Sequence, residues 1–448
     1  MKTDTSETAA NSGQSSYPAS GSRWLIAVMG CLLQVTLGTI YAWSYFQKPL
    51  MAYAGWNNQQ VAWILSLAIC FLGLSAAVGG LLLPTIGPRK LAVAGVLLYA
   101  SGWLTGGLAL QMKSLLLLYF GMGIIGGIGL GLGYVTPVAT AAKWFPDKKG
   151  LVTGMVVMGF GLGALLMSKL LAPTFAAVCP AADAAQTDWA KVFYLIAAAL
   201  AAAGLTAAIC MQNPPANAPP CSNTPVGSGN KADSGSSTAK ACICSSRFTL
   251  MFLLFFCNIT AGIMFIGFQS PMLQDLIKTA APDTAPTVLA SAGATLIAVS
   301  SLFNGIGRLF WGAISDHIGQ TRAFRLILGT QLCVFIGLTQ VNSPAMFSIL
   351  VCYILLCYGG GFGTMPSFVS TVFGNKPMAA VYGCILTAWS LAGLIGPQVV
   401  ALLKDTLPAQ QAAYYTFIIG AAVLATGFAL SFAVNDRTFN HPKQSQSK

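Results

Sequence analysis

Long apolar runs recur along the whole chain, and they leave it few folds to choose from. Residues 91–110 carry no charge, and residues 190–211 carry one lysine near the start. A bilayer core about 30 Å thick takes about 20 such residues per helix. Outer-membrane strands would show weak alternation over about ten residues instead, so helices are expected. Apolar residues make up 55% of the chain and charged residues 8%, whereas a soluble domain is about a quarter charged. A soluble enzyme is excluded. Hydropathy predicts twelve spans, near 24–46, 60–83, 90–110, 115–142, 150–172, 189–211, 248–270, 287–311, 325–341, 345–372, 380–403 and 412–434.

The spans divide six and six. Residues 212–246 are rich in Pro, Ser, Gly and Asn and read as a flexible linker. The expected organisation is a tail over 1–22, a six-helix bundle over 23–211, the linker over 212–246, a second bundle over 247–434 and a tail over 435–448. The first 22 residues are polar and the first apolar run is long enough to span, so no cleaved signal peptide is expected. Of 23 basic residues, Lys48, Lys113, Lys169, Lys191, Lys278 and Lys404 fall on one face and Arg308 inside a span; the other sixteen fall in the tails, the linker and the connectors on the linker's face. The positive-inside rule then predicts cytoplasmic termini and linker in a cell (inner) membrane. The net charge of +12 is scattered through connectors, so it reads as topology rather than nucleic-acid binding. The lipid bilayer is the expected surrounding and a monomer the expected state.

Most of the twelve cysteines lie in apolar spans as small hydrophobes. Cys221, Cys242 and Cys244 share the linker, but no histidine is near and the C-x-C lacks zinc-site spacing. No metal or cofactor is expected. Glycines crowd the fourth and fifth spans, with small-x3-small spacings at Gly123, Gly127 and Gly131 and at Gly159 and Gly163, a pattern for close helix contact. No strand precedes them and no Lys-Ser/Thr pair follows, so they do not form a phosphate loop. No nucleophile has a histidine base within a span, and no enzymatic activity is expected.

Arg308 is the one charge well inside a span. A guanidinium in the membrane needs a partner or a water-filled cavity. All eleven acids, among them Asp275 and Asp405, fall in tails, connectors or helix ends. An anionic ligand would then neutralise Arg308, and its planar fork suits a carboxylate. The bland alternative is that Arg308, four residues before Gly312, snorkels to the headgroups. Asn304 stands one turn earlier on the same face, either to hydrogen-bond guanidinium or substrate, or as interhelical glue.

The halves echo one another. Gly80-x3-Pro84-x2-Gly87-Pro88-Arg89-Lys90 returns 232 residues later as Gly312-x3-Asp316-x2-Gly319 with Arg322, and Gly133-Tyr134-x2-Pro137 with Phe145 returns about 229 later as Gly363-Thr364-x-Pro366 with Phe373. Such duplication suits a site between two rocking bundles. The loop resembles the signature loop of the major facilitator superfamily, although Pro84 stands where an aspartate is usual. Gly38-Thr39-Ile40-Tyr41-Ala42-Trp43-Ser44, Gly131-Leu132-Gly133-Tyr134-Val135-Thr136-Pro137 leading to Lys143-Trp144-Phe145-Pro146-Asp147-Lys148-Lys149-Gly150, Asn304-Gly305-x-Gly307-Arg308-x-x-Trp311-Gly312 and Ala392-Gly393-x-x-Gly396-Pro397 resemble the oxalate/formate antiporter family, relatives of the monocarboxylate transporters.

The resemblance implies an all-α membrane protein, twelve helices in two pseudo-symmetric bundles. It also implies a substrate-binding arginine at Arg308 and an aromatic cage from Tyr41, Tyr134, Tyr358 and Phe362. The family's oxalate carrier has a lysine in the eleventh helix where this chain has Trp389. One cation would leave one carboxylate of oxalate unpaired, so the expectation is alternating-access transport of a monocarboxylate such as lactate, pyruvate or formate. A dicarboxylate antiporter is the alternative, and a non-transporting sensor or a drug exporter is a further one. Neither His317, expected in a loop, nor His441 lies in a predicted span, and no Asp or Glu lies within the membrane. Proton symport and exchange for a counter-anion both stay open.

Overall fold

The computed structural model describes residues 20–145, 149–180, 187–214, 239–374 and 377–434. Twelve helices in it are long and apolar enough to cross a membrane: α1 (Arg23–Ala54), α2 (Asn58–Ile86), α3 (Pro88–Gln111), α4 (Leu115–Trp144), α5 (Val152–Val178), α6 (Trp189–Ile209), α7 (Ser246–Ala280), α8 (Pro286–Ile318), α9 (Gln320–Leu338), α10 (Pro344–Phe373), α11 (Ala380–Thr406) and α12 (Ala409–Ser431). The surface is inverted relative to a soluble protein, with Leu81, Leu116 and Ile349 turned outward, as lipid demands.

An even number of crossings brings the two ends of the described chain to one face, here the linker side; the opposite face is the far side. Cys221, His441, six of the acids (Asp4, Glu7, Asp147, Asp183, Asp233 and Asp436) and most of the tails and linker lie outside the described residues.

The helices outrun several hydropathy windows. α7 continues to Ala280 because Gln274, Asp275 and Lys278 are polar yet helix-compatible at a water-facing end. α8 reaches Ile318, which puts His317 in its last turn rather than in a loop. Part of the expected flexible linker is also ordered: Ala239–Ile243 is a short helix with Cys242 buried, beside the first turns of α11. On the N-terminal side of the linker, Lys143 and the Trp144 indole donate to Asn213 Oδ1 and Gln212 O at 3.0 and 2.7 Å.

The repeat is visible in the backbone. Gly87 (φ 84°, ψ 157°) and Gly319 (φ 91°, ψ 145°) each end one helix and begin the next, a conformation that a side chain would strain. Pro84 is accommodated inside the last turn of α2.

The two halves meet along α2 against α11 and α5 against α8. Small residues let these helices touch. A Cβ on Gly161 would lie 2.7 Å from Gly305 Cα, and one on Gly73 would lie 2.6 Å from Leu386 O. Ser390 Oγ donates to Cys70 O at 2.7 Å, and Ser301 Oγ donates to Gly161 O. Within the C-terminal half, Asn258 Nδ2 donates to Gln331 Oε1 (3.4 Å), and Gln331 Nε2 to Ile354 O (3.0 Å). In hydrocarbon such amides have no water to turn to, so they pair between helices.

Candidate functional site

Arg308 lies at this seam because glycines remove the spacing between three helices. Gly307 packs on Leu356 and Gly363 on the Arg308 carbonyl; a Cβ on either would sit 2.0 Å from a backbone oxygen. That draws α8 against α10 and sets the Arg308 guanidinium 4.8 Å from the Phe362 ring centre. The Gly161–Gly305 approach draws in α5, and Phe160 faces the guanidinium from the other half at 5.8 Å. Two cation–π contacts are worth about 0.5–2 kcal/mol each, less than the cost of several kcal/mol for desolvating the charge.

The arginine does not snorkel. Its side chain is fully buried (0% exposed), and Nε, Nη1 and Nη2 make no well-formed hydrogen bond, with the Tyr134 hydroxyl within their reach. No carboxylate among the described residues lies within ion-pair distance of it. The reason is geometric: the side chain points across the bundle, under rings contributed by both halves, rather than along α8 to the linker-side surface.

The remaining rings close over it. In α1 a tight 3₁₀ turn over Thr39–Ala42 interrupts the helix, where Thr39 Oγ1 bonds back to Thr36 O and meets the Tyr99 hydroxyl at 2.8 Å. The turn is pressed on α5, since a Cβ on Gly38 would lie 2.0 Å from Phe160 O, and it carries Tyr41. The Tyr41 hydroxyl meets that of Tyr358 at 2.6 Å. Tyr134 is held from α4, where Gln34 Nε2 donates to its carbonyl at 3.1 Å. Trp389 of α11 sits among Phe362, Tyr134 and Phe160, with centroids 4.7, 5.4 and 5.7 Å away in edge-to-face contact, the preferred aromatic geometry.

Tyr41, Tyr134, Tyr358, Phe362 and Trp389 are thus brought together with Arg308, all buried. Asn304 is buried too, but its backbone carbonyl and side-chain oxygen press on Gly359 in the α8–α10 seam. The Asn304 Oδ1 has no hydrogen-bond partner, and the Tyr134 and Tyr382 hydroxyls, which face each other, and the Trp389 Nε1 make no well-formed hydrogen bond. Phe160 and Tyr382 were not among the expected site residues; Tyr382 of α11 lies within electrostatic reach of Tyr134 and Arg308. The Gly159-Phe160-Gly161-x-Gly163 spacing was the available signal for Phe160, because a ring flanked by glycines stands at a helix crossing. No group of three or more potential metal ligands occurs among the described residues.

The arrangement is a buried box of rings around Arg308, with Tyr41, Tyr134 and Phe160 from the first bundle and Tyr358, Phe362 and Trp389 from the second. It offers an anion up to five N–H donors from Arg308, with the Tyr134, Tyr382 and Trp389 polar hydrogens close by. The family model described as Major Facilitator Superfamily matches residues 24–397. The chain belongs to the major facilitator superfamily. Among relatives within it, the oxalate:formate antiporter of Oxalobacter formigenes is 25% identical over 427 residues, covering 93% of this chain and 92% of that protein. The apicoplast pyruvate carrier 1 of Toxoplasma gondii is 29% identical over 380 residues, covering 75% and 68%. Among solved structures, an inward-facing, unoccupied bacterial homologue of the human lysosomal transporter Spinster matches with a TM-score of 0.65 at 13% identity, covering 93% of this chain and 97% of that one. It shares the fold of this transporter superfamily member.

Proposed function

We propose that this membrane transporter carries a small monocarboxylate such as lactate, pyruvate or formate by alternating access, and that Arg308 holds the carboxylate. The observation carrying this reading is a fully buried guanidinium at the junction of the two halves, with no carboxylate partner among the described residues and no well-formed hydrogen bond. A buried cation without a counter-ion is costly; a bidentate carboxylate supplies the missing charge and two hydrogen bonds. Tyr134, Tyr382 and the Trp389 indole donate further, and Phe160 and Phe362 keep water out. Among the described residues Arg308 is the one cation that faces the cage, which matches one carboxylate rather than two. The relatives are named for small carboxylates, formate and pyruvate with one carboxylate and oxalate with two.

Both termini and the linker face the cytoplasm on this reading, because basic residues concentrate on that side. An anion leaving Arg308 restores an unpaired charge, so return of the empty carrier is costly and exchange of one anion for another is the favoured cycle. The test is uptake of labelled lactate, pyruvate, formate and oxalate into proteoliposomes holding the wild type or Arg308→Ala. Loss of monocarboxylate uptake in the variant is expected. Unchanged uptake of every anion would overturn the assignment, and lumen acidification accompanying net uptake would replace exchange by proton symport.

A further inference from the structure

A second charged assembly lies on the far side, away from the cage. Asp275 of α7 takes Lys48 of α1 on one oxygen at 2.8 Å and Lys404 of α11 on the other. Lys48 comes from the opposite half of the molecule, whereas Lys404 shares its half with Asp275. Asp405, the neighbouring acid, is turned away: it accepts from the Asn58 and Gln59 backbone amides at 3.2 and 2.9 Å and from Asn58 Nδ2 at 2.8 Å, so it caps α2. One carboxylate therefore serves two ammoniums, and the Lys404 side chain is only 10% exposed.

A cavity of about 620 Å³ opens onto Asp275 and Lys404. Its walls come from α7, α12, the α9–α10 turn and the first turn of α10, all in the C-terminal half, so it does not lie on the route between the halves. Met272, Leu276, Leu338, Phe347 and Phe417 form an apolar body, and Thr279, Asn342 and Gln410 stand near the mouth with Tyr414. That volume and lining fit a drug-sized ligand with one polar end.

We propose that this cavity is a regulatory site for an amphipathic monocarboxylate, whose carboxylate pairs with Lys404 and whose apolar body fills the space beneath α12. The chemistry is a missing second anion: two lysines and one aspartate become two and two when the ligand binds. With Lys404 satisfied by the ligand, Asp275 belongs to Lys48 alone, and the tie between the halves tightens. The ligand therefore favours the conformation closed on the far side, where Lys48 reaches Asp275, and it slows transport without entering the cage. Linkage sets the limit, since the shift cannot exceed the ligand's preference for that conformation. This inference stands apart from the Arg308 reading.

The probe is 4-phenylbutyrate, with 4-phenylbutyramide as its uncharged counterpart, titrated against the purified full chain. Saturable binding of the acid at least about tenfold tighter than the amide is expected. Lys404→Gln and Ala413→Trp, the second of which fills the cavity, should each weaken it about tenfold or more, while Arg308→Ala leaves it intact. In proteoliposomes, the acid should lower the maximal rate of substrate uptake by the wild type but not by Ala413→Trp. Equal binding of acid and amide, or binding lost in Arg308→Ala and retained in both cavity variants, would overturn the proposal.

Discussion

Two places in this membrane protein bring cations together with their surroundings, and they treat charge in opposite ways. On the far side, Lys48 and Lys404 share Asp275, and the assembly is partly open to water. At the centre, Arg308 meets only rings and is sealed. Exposed pairs contribute about 0–1 kcal/mol each, because water screens them. A sealed, unpaired guanidinium instead works against folding. The first assembly holds the halves together; the second is affordable only if an anion repeatedly completes it. On the proposed reading, the charge left without a carboxylate, rather than the charge with one, marks the transport site.

Removing the sealed charge gives the largest expected effect. Arg308→Met should lower pyruvate uptake by about a hundredfold or more, the loss of a charge-assisted bidentate contact, yet its thermal unfolding temperature should hold or rise. A marked fall in that temperature, measured by a thermal shift of the purified protein, would make Arg308 a structural residue and erase the contrast. Trp389→Lys adds a second cation to the cage. It should raise the ratio of oxalate to pyruvate uptake by about tenfold, seen in competition with the labelled acids.

Smaller effects sharpen the comparison. Tyr358→Phe removes one hydroxyl of the 2.6 Å Tyr41–Tyr358 pair and should cost about 1 kcal/mol, a roughly fivefold rise in KM in initial-rate uptake. Asp275→Asn frees both the exposed Lys48 and the largely buried Lys404; with two pairs lost, stability should fall by about 1–2 kcal/mol in thermal unfolding. Transport should change only about two- to threefold, through a looser far-side closure. A complete loss in Asp275→Asn would mean that the far-side assembly belongs to the transport site itself.

Much of this was legible in the sequence, and the limits have physical reasons. Hydrophobic runs are long-range averages, so the spans and their six-plus-six arrangement emerge without packing detail. Arg308 stands out because charge in lipid is rare. Tyr41, Tyr134, Tyr358, Phe362 and Trp389 were reachable through the family resemblance, and the structure brings all five to one cage. Phe160 was hidden because phenylalanine is equally at home facing lipid. Lys48 and Asp275 lie 227 residues apart, and no local pattern announces such a pair. The depth of Arg308 depended on which way its side chain points, and the Gly307–Leu356 and Gly363–Arg308 approaches decide that only once α8 and α10 are packed.

The most direct measurement is equilibrium binding of labelled pyruvate to the purified full chain and to Arg308→Gln, which keeps hydrogen-bonding capacity and removes the charge. If Arg308 holds the carboxylate, affinity falls by about a hundredfold in the variant while its folding is retained. Equal affinity in the two proteins would contradict the assignment of the buried guanidinium as the anion's partner.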